Sequence, residues 1–466
     1  MESDNSDGGG AMTTLALSMI VRDAASHLPA CLESARGVVD EMVIADTGST
    51  DDTLAVARRL GAGVISIPWT NNFAEARNRA LVKVNADWVL VLDADEQLDE
   101  GVRGQIRPLL ENKLAAGFVV TIRNYVRSLE ERIWDTAAKP NDSLLPASSV
   151  YPGFIEHENV RLFQRDKEVY FVGRVHESVG PRIQELGGKL KPAPFCIHHF
   201  GMAADAEARA RKNRFYRELG REKILEMPEN AQARLELGLV EMDNFHNLPE
   251  ALALFERACE LNPRLSVAWF FRGLTLLKLE RFAGALQCLA EAEKRGHRTA
   301  LVAETRGDAL YNVKDFSRAC ESYQLALRRD SGNPLLESKL GLARVRAGKT
   351  SEGLKELREA CARRPEVPEL HDRLILALVW LELIEEAAMA AREKLKLVAN
   401  HQPSDFLRAA SLWAKVRNFE SAAATVNAGL ELFPKDETLQ RIWDELTAIG
   451  GVPEHASSLI SSISGG

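Results

Sequence analysis

Short apolar runs and amphipathic segments alternate along the first 200 or so residues. TLALSMIV, EMVIADTGS, GAGVISIPW and DWVLVLDADE read as strands, and SHLPACLESARGV, STDDTLAVARRLG and NFAEARNRALVKVN fill the gaps as helices. Apolar runs bounded by turn residues and alternating with such helices predict a mostly parallel sheet covered on both faces. Ligands of such sheets sit beyond the carboxyl ends of the strands. The chain places acids there: Asp46 after MVIA, and Asp93 and Asp95 after VLVL.

From about residue 228 the rhythm becomes all-helical and repeats. Gly238, Gly273, Gly307 and Gly341 follow one another at 35, 34 and 34 residues, and Ala251, Ala285, Ala319, Gly353 and Ala387 at 34 throughout. That period predicts tetratricopeptide-like helix pairs, about six of them between 233 and 435, with small residues where paired helices approach closely. Proline near 263, 334, 368, 403 and 434 follows helical stretches, where it stops a helix. Between the halves, AADAEARARKNRFYRELGREKILEMPEN reads as a solvated linking helix with a basic flank. The expected division is a leader or expression scar over 1–12, an α/β domain over 13–203, the linker over 204–229, the repeat solenoid over 230–448 and a flexible tail over 449–466.

Composition narrows the classes. A chain of 466 residues that is 45% hydrophobic carries two or three packed domains. Its net charge of -8 disfavours a broad nucleic-acid or anionic-membrane face. No apolar run approaches the roughly 18 to 20 residues needed to span a bilayer, and the start MESDNSDGGGAM lacks the pattern of a secretion signal. Six scattered cysteines without a CxxC pair read as reduced thiols of a cytoplasmic protein.

An Asp-x-Asp at a strand end is either a pair of hard oxygen ligands for Mg²⁺ or Mn²⁺ or a pair of solvated loop acids. Five apolar residues before it require burial, and carboxylates at a low-dielectric rim repel each other unless a cation lies between them. The series SMIVRD, VDEMVIADTGSTDDT, PWTNNFAEARNRAL, DWVLVLDADE, GRVHE and IHHFG resembles glycosyltransferase family 2, with its GT-A (Rossmann-like) fold. It looks most like the branch that precedes tetratricopeptide repeats, which includes the sublancin-type peptide S-glycosyltransferases.

The resemblance implies that Asp46 accepts a hydrogen bond from a uracil ring and that Arg77 lies near the nucleotide diphosphate. It implies that Asp95 holds the divalent ion, Mn²⁺ or Mg²⁺, with Asp93 on ribose or a metal-bound water. His199 completes the coordination, with His198 as its alternate. Family members often carry asparagine and glutamate after the first strand; Arg22, Asp23 and Ala24 stand here, and Asp23 replaces part of that nucleotide contact. Ser49, Thr50 and Asp51 read first as a helix cap. Trp134 is a candidate for sugar or acceptor contact, in a 125–158 segment that reads as a lid, whereas Trp69 and Trp88 read as packing residues. Glu96, Asp99 and Glu100 read as the solvated start of a helix.

The implied reaction is inverting transfer from a UDP-sugar to a protein or peptide acceptor. Glu177 is the expected base, ahead of Asp135, Glu156 and Glu158. The repeats would recruit the acceptor or form a homodimer. The competing expectations are an interaction scaffold with a decayed catalytic half, and a transferase acting on lipopolysaccharide or a lipid-linked glycan.

Overall fold

The structure, a computed structural model, describes residues 12–448 apart from 113, 129–130, 134–135, 202–205 and 400, and only the backbone of 132–133 and 206–209. The chain divides into two compact units, 1–261 and 262–466.

The first unit begins with β1 (Leu15–Val21), α1 (Leu28–Ala35), β2 (Glu41–Asp46), α2 (Thr53–Arg59), β3 (Gly63–Ser66), α3 (Phe73–Leu81) and β4 (Trp88–Val91). It continues with β5 (Glu96–Leu98), α4 (Val102–Leu110), β6 (Gly117–Val126), three two-residue strands, β7 (Arg132–Ile133), β8 (Thr136–Ala137) and β9 (Lys139–Pro140), then β10 (Gly153–Gln164), α5 (Gly180–Glu185) and β11 (Leu190–His199). Three helices close it: α6 (Ala206–Glu226), α7 (Ala231–Asp243) and α8 (Leu248–Leu261).

The sheet runs β3-β2-β1-β4-β10-β6-β11-β5, with β9 beside β10. Its first four strands are parallel, as the alternation predicts; β10 then runs antiparallel to both β4 and β6, β11 parallel to β6 and β5 antiparallel to β11. Leu15, Leu17 and Leu90 pack with α1 and α4 residues on one face, and Val89, Val91 and Phe163 with α3 and α5 residues on the other. The ladder of β10 and β6 pairs Gly153 with Val126 and Phe154 with Tyr125. The expected lid over 125–158 is therefore sheet at both ends.

One irregularity matters for the site. The β10–β6 register shifts between Val160 and Leu162, which leaves Arg161 as an extra residue in β10. Such a bulge breaks the two-residue alternation and re-aims a side chain.

The second unit contains eleven helices among the described residues: α9 (Ser266–Lys278), α10 (Phe282–Lys294), α11 (Ala300–Asn312), α12 (Phe316–Arg329), α13 (Pro334–Arg346), α14 (Thr350–Arg363), α15 (Pro368–Trp380), α16 (Ile384–Leu397), α17 (Pro403–Lys415), α18 (Phe419–Leu432) and α19 (Glu437–Ala448). Within each unit the helices pair consecutively, α7 with α8 and α9 with α10 onward. The small residues mark close approaches, as the period predicts. A Cβ on Gly307 would lie 2.5 Å from the Tyr323 ring, and one on Gly238 equally close to Phe255.

A second register was not legible in residue type. His246, Glu280, Lys314, Gly348, Glu382 and Arg417 all have φ between 51° and 83°. Each follows the first helix of a pair, where a left-handed residue lets the next amide bond back five residues, as Arg281 N–H does to Leu276 O at 2.8 Å, or six after His246, where Asn247 N–H reaches Glu241 O at 2.9 Å. Only one of the six is glycine.

Candidate active site

Strand β4 delivers Asp93 to the carboxyl edge of the parallel sheet, and α3 brings Arg77 beside it. Arg77 donates through Nη2 to Asp93 Oδ1 at 2.6 Å and through Nε to Glu177 Oε1 at 2.5 Å. The other oxygen of Asp93 accepts from Arg161 at 3.2 Å, and Arg161 also donates to Glu96 at 2.8 Å. Glu96 closes the chain by accepting the Asp93 backbone N–H at 2.8 Å. Arg77, Arg161 and Glu96 are all buried. Burial opposes the charge on Asp93, yet the two guanidiniums hold its carboxyl well below the usual range. Glu96 lacks that double support, and burial pushes it up to about 7 against the pull of Arg161.

This arrangement corrects one expectation and adds one residue to the site. Glu96 is not the solvated start of a helix; it begins β5, pairs across to His199 in β11, and anchors Arg161. Arg161 was missed because a lone arginine in an apolar strand gives no signal, and only the bulge turns it to the cleft.

On β11 the pleat separates two neighbouring histidines. His199 Nε2 lies 3.3 Å from Asp95 Oδ2, and its Nδ1 donates to Asn124 Oδ1 at 2.7 Å. Asn124 is oriented by its own amide nitrogen, which donates to Ile155 O at 3.0 Å. With Nδ1 donating to Asn124, Nε2 faces Asp95, to which it donates when the ring is protonated. Burial disfavours the imidazolium, but the Asp95 hydrogen bond and nearby carboxylates raise the His199 pKa overall. A Cβ on Gly201 would fall onto both Asp95 Oδ2 and His199 Nε2, so this glycine keeps the space beside them open.

His198 is fully buried and faces Tyr125 (Nδ1 to Oη, 2.8 Å), Asp99 (3.0 Å) and Cys196 (3.5 Å). Asp99, Cys196 and His198 are close enough to share a metal ion. Burial pushes the Cys196 thiol up to about 11 in the absence of an ion, and a bound metal would displace that proton.

Two adjoining cavities open at this edge. One of about 360 Å³ is lined by Arg77, Asp93, Asp95, Glu177 and His199 among others. The second, of about 640 Å³, is lined by Asp23, Thr47, Trp69, Asn71 and Phe215, and shares Ile20, Phe73, Asp95 and Lys212 with the first. Asp23 and Asn71, here, and His176, in the first cavity, hold positive φ without being glycine.

Loops after β1 and β2 are laced together beside the larger cavity. Asp23 Oδ1 accepts from Thr50 N (2.7 Å) and Oγ1 (3.1 Å), while Ser49 Oγ, Thr53 Oγ1 and Asp51 Oδ2 accept the backbone N–H groups of Asp23, Ala24 and Ala25 in turn. Ser49 and Thr50 therefore tie loops rather than cap α2, a correction to the helix-cap reading; Asp51 does bond the Thr53 N–H at 3.0 Å. Asp46 is buried and accepts the N–H groups of Gly48 and Ser49 at 3.1 Å each, which shapes the turn at the cavity wall.

The remaining candidates separate by position. Trp134 and Asp135 lie outside the described residues. Trp88 is core, 5.8 Å from the Phe118 ring, but Trp69 lines the larger cavity and packs edge-on against Phe73. Glu156 is bound by Arg123 and Lys139, and Glu158 is exposed on β10. Helix α6, expected to be a solvated linker, instead places Lys212, Phe215 and Tyr216 at the two cavities.

Comparison with known proteins agrees with this architecture. The profile "Glycosyl transferase family 2" matches residues 18–200, and "Tetratricopeptide repeat" matches 272–334. A TPR repeat-containing protein of Synechococcus elongatus is 44% identical over 112 residues, 24% of this chain and 28% of that one. An uncharacterized glycosyltransferase of Rickettsia felis is 35% identical over 95 residues, 20% of this chain and 33% of that one. The SPbeta prophage-derived glycosyltransferase SunS of Bacillus subtilis is 24% identical over 166 residues, 35% of this chain and 34% of that one. The chain thus spans about a third or less of the length of the first relatives it matches. The chain carries a match to glycosyl transferase family 2 over residues 18–200 and a match to the tetratricopeptide repeat over residues 272–334.

Proposed function

We propose that the chain is a metal-dependent, inverting glycosyltransferase that moves a sugar from a uridine-diphosphate donor to a protein or peptide acceptor. What carries the reading is convergence: Arg77, Asp93, Asp95, Glu177 and His199 come from four separate segments and line one cavity at the carboxyl edge of the sheet. The family match and the glycosyltransferase relatives point the same way.

Asp95 and His199 suit a divalent ion, Mn²⁺ or Mg²⁺: a carboxylate and an oriented imidazole nitrogen face a space that Gly201 leaves free. When bound, such an ion offsets the charge that builds on the departing diphosphate. Asp93 is held between two arginines, which leaves it to orient ribose or water rather than to act as a direct ligand. Arg77 Nη1 is buried with no hydrogen-bond partner among the described residues, a donor of the kind a ligand oxygen satisfies. Asp46, with further lone pairs beyond its turn bonds, remains the proposed partner of the base. Glu177 lines the cavity and would take the acceptor proton.

The repeats would bind the acceptor, or a second copy of the chain. SunS, a glycosyltransferase by name, is 24% identical to this chain over 166 residues. Among the described residues no helix is long and apolar enough to cross a membrane, and we place the protein in the cytoplasm. Intact-mass analysis after incubation with Mn²⁺, a panel of UDP-sugars and candidate peptides tests the reading: a hexose-sized mass gain supports it. Neither transfer, nor donor hydrolysis, nor nucleotide binding with any member of the panel would leave an interaction scaffold as the better description.

A further inference from the structure

The charge balance of the cleft raises a problem for any diphosphate. Asp93, Asp95, Glu96 and Glu177 stand against two guanidiniums, Arg77 and Arg161, and the His199 imidazole, and all three are already paired with these acids. A ligand carrying two or more negative charges enters such a site only if further cations meet it. One divalent ion on Asp95 supplies part of that. Arg22, the other cation at the larger cavity, lies on its rim beside Asp23 and is more than half exposed.

Lys212 is exposed as well, but it is placed differently. It is a member of both cavity linings, as Asp95 is, and so marks the junction between the pocket bounded by Asp23 and Trp69 and the pocket bounded by Glu177 and His199. Its ammonium lies 5.9 Å from the Tyr216 ring, and among the described residues no carboxylate pairs with it. Tyr216 in turn packs 5.9 Å from Phe73, and Phe215 lies 6.3 Å from Trp69, so aromatic contacts on two sides fix this turn of α6 against the cleft. The helix lies beyond the residues matched by the family profile, which ends at 200.

We propose that Lys212, on the helix that leads into the repeats, binds the diphosphate of the nucleotide donor, with Phe215 forming part of the wall of the base pocket. The inference rests on the glycosyltransferase reading. The diphosphate bridges base and sugar in any such donor, and the junction between the two cavities is where that bridge lies. A lysine there acts as a mobile point charge whose reach exceeds that of the clamped arginines. Helix α6 is then a component of the donor site and not a tether.

Calorimetric titration of the full-length protein with UDP and with uridine, with Mn²⁺ present, tests this. Lys212→Ala should weaken UDP binding about tenfold or more, a charge-assisted contact being lost, and leave uridine affinity unchanged. Lys212→Arg should recover UDP binding to within a few-fold, and all variants should melt with the parent. UDP affinity in Lys212→Ala equal to the parent's overturns the proposal, as does an equal loss for uridine, which would mark a structural role. A parent that binds neither UDP nor the GDP and dTDP controls overturns the glycosyltransferase reading and this inference with it.

Discussion

Arg77 in the α/β unit and Lys339 in the repeats are both largely buried cations held by two carboxylates. Lys339 bonds Glu304 and Asp308 at 2.8 Å each, two acids one turn apart on α11, the first helix of the preceding pair. Asp308 is further occupied by the Tyr323 hydroxyl at 2.8 Å. Along the array, Arg373 reaches Ser338 and Arg408 reaches Asp372, each about one repeat away. These groups close upon their neighbours and hold one helix pair against the next. Arg77 instead gathers Asp93 from 16 residues away and Glu177 from 100, at a cavity wall, and keeps one nitrogen without a partner. Glu356 Oε2 in the repeats is also buried without a partner among the described residues, so what sets Arg77 apart is an open donor that stands at a cavity wall beside carboxylates gathered from afar.

The strongest test of that contrast is Asp95→Ala, expected to lower transfer by about 10³-fold with melting unchanged. Transfer at the parent rate would move the metal elsewhere. Next, Arg77→Met should cost about 3–5 kcal/mol in denaturant unfolding, because it strands Glu177 and leaves Asp93 with Arg161 alone, and should abolish UDP binding. Lys339→Met, whose partners are partly solvated, should cost about 1–3 kcal/mol and leave UDP binding intact; a loss of nucleotide affinity there would erase the distinction. Gly307→Ala drives a methyl group into the Tyr323 ring and should destabilise the repeats by about 1–3 kcal/mol. The smallest effect expected is a gain: Lys314→Gly relieves a left-handed lysine at φ 65° and should add about 0.5–1 kcal/mol, read as a rise in the midpoint of unfolding of the repeats.

Much of the fold could be read before any coordinates. The strand and helix patterns through residue 91 appear where the alternation puts them, and the 34-residue register correctly anticipates paired helices. Periodicity works there because burial repeats with the geometry of the element. The reading weakens where long-range pairing decides. Nothing local distinguishes the antiparallel insertion of β10 between β4 and β6, or tells that Glu96 begins a strand rather than a helix. In the site, Asp93, Asp95, Glu177, Arg77 and His199 were expected from the resemblance of the motif series to a known family, and they come together at one cavity. Asn124, Arg161 and Lys212 were not. Each acts through a partner distant in sequence, and a single polar residue in a strand or an exposed helix carries no periodic signature. The two histidines were ambiguous for a related reason: adjacent residues look alike in a string, and only the pleat sends one toward Asp95 and the other toward Tyr125.

The bulge at Arg161 has a bearing on how this sheet can be altered. An extra residue in one strand can be removed by deleting a single codon, and the backbone gains by it, since β10 and β6 would then pair without interruption. The same edit would leave Glu96 buried without its guanidinium and halve the cationic support of Asp93. The most regular version of the sheet and the most habitable version of the cleft are therefore different sequences. Selection for thermal robustness alone should drift toward the first, and a lineage that retains the interruption advertises that its pocket is still in use.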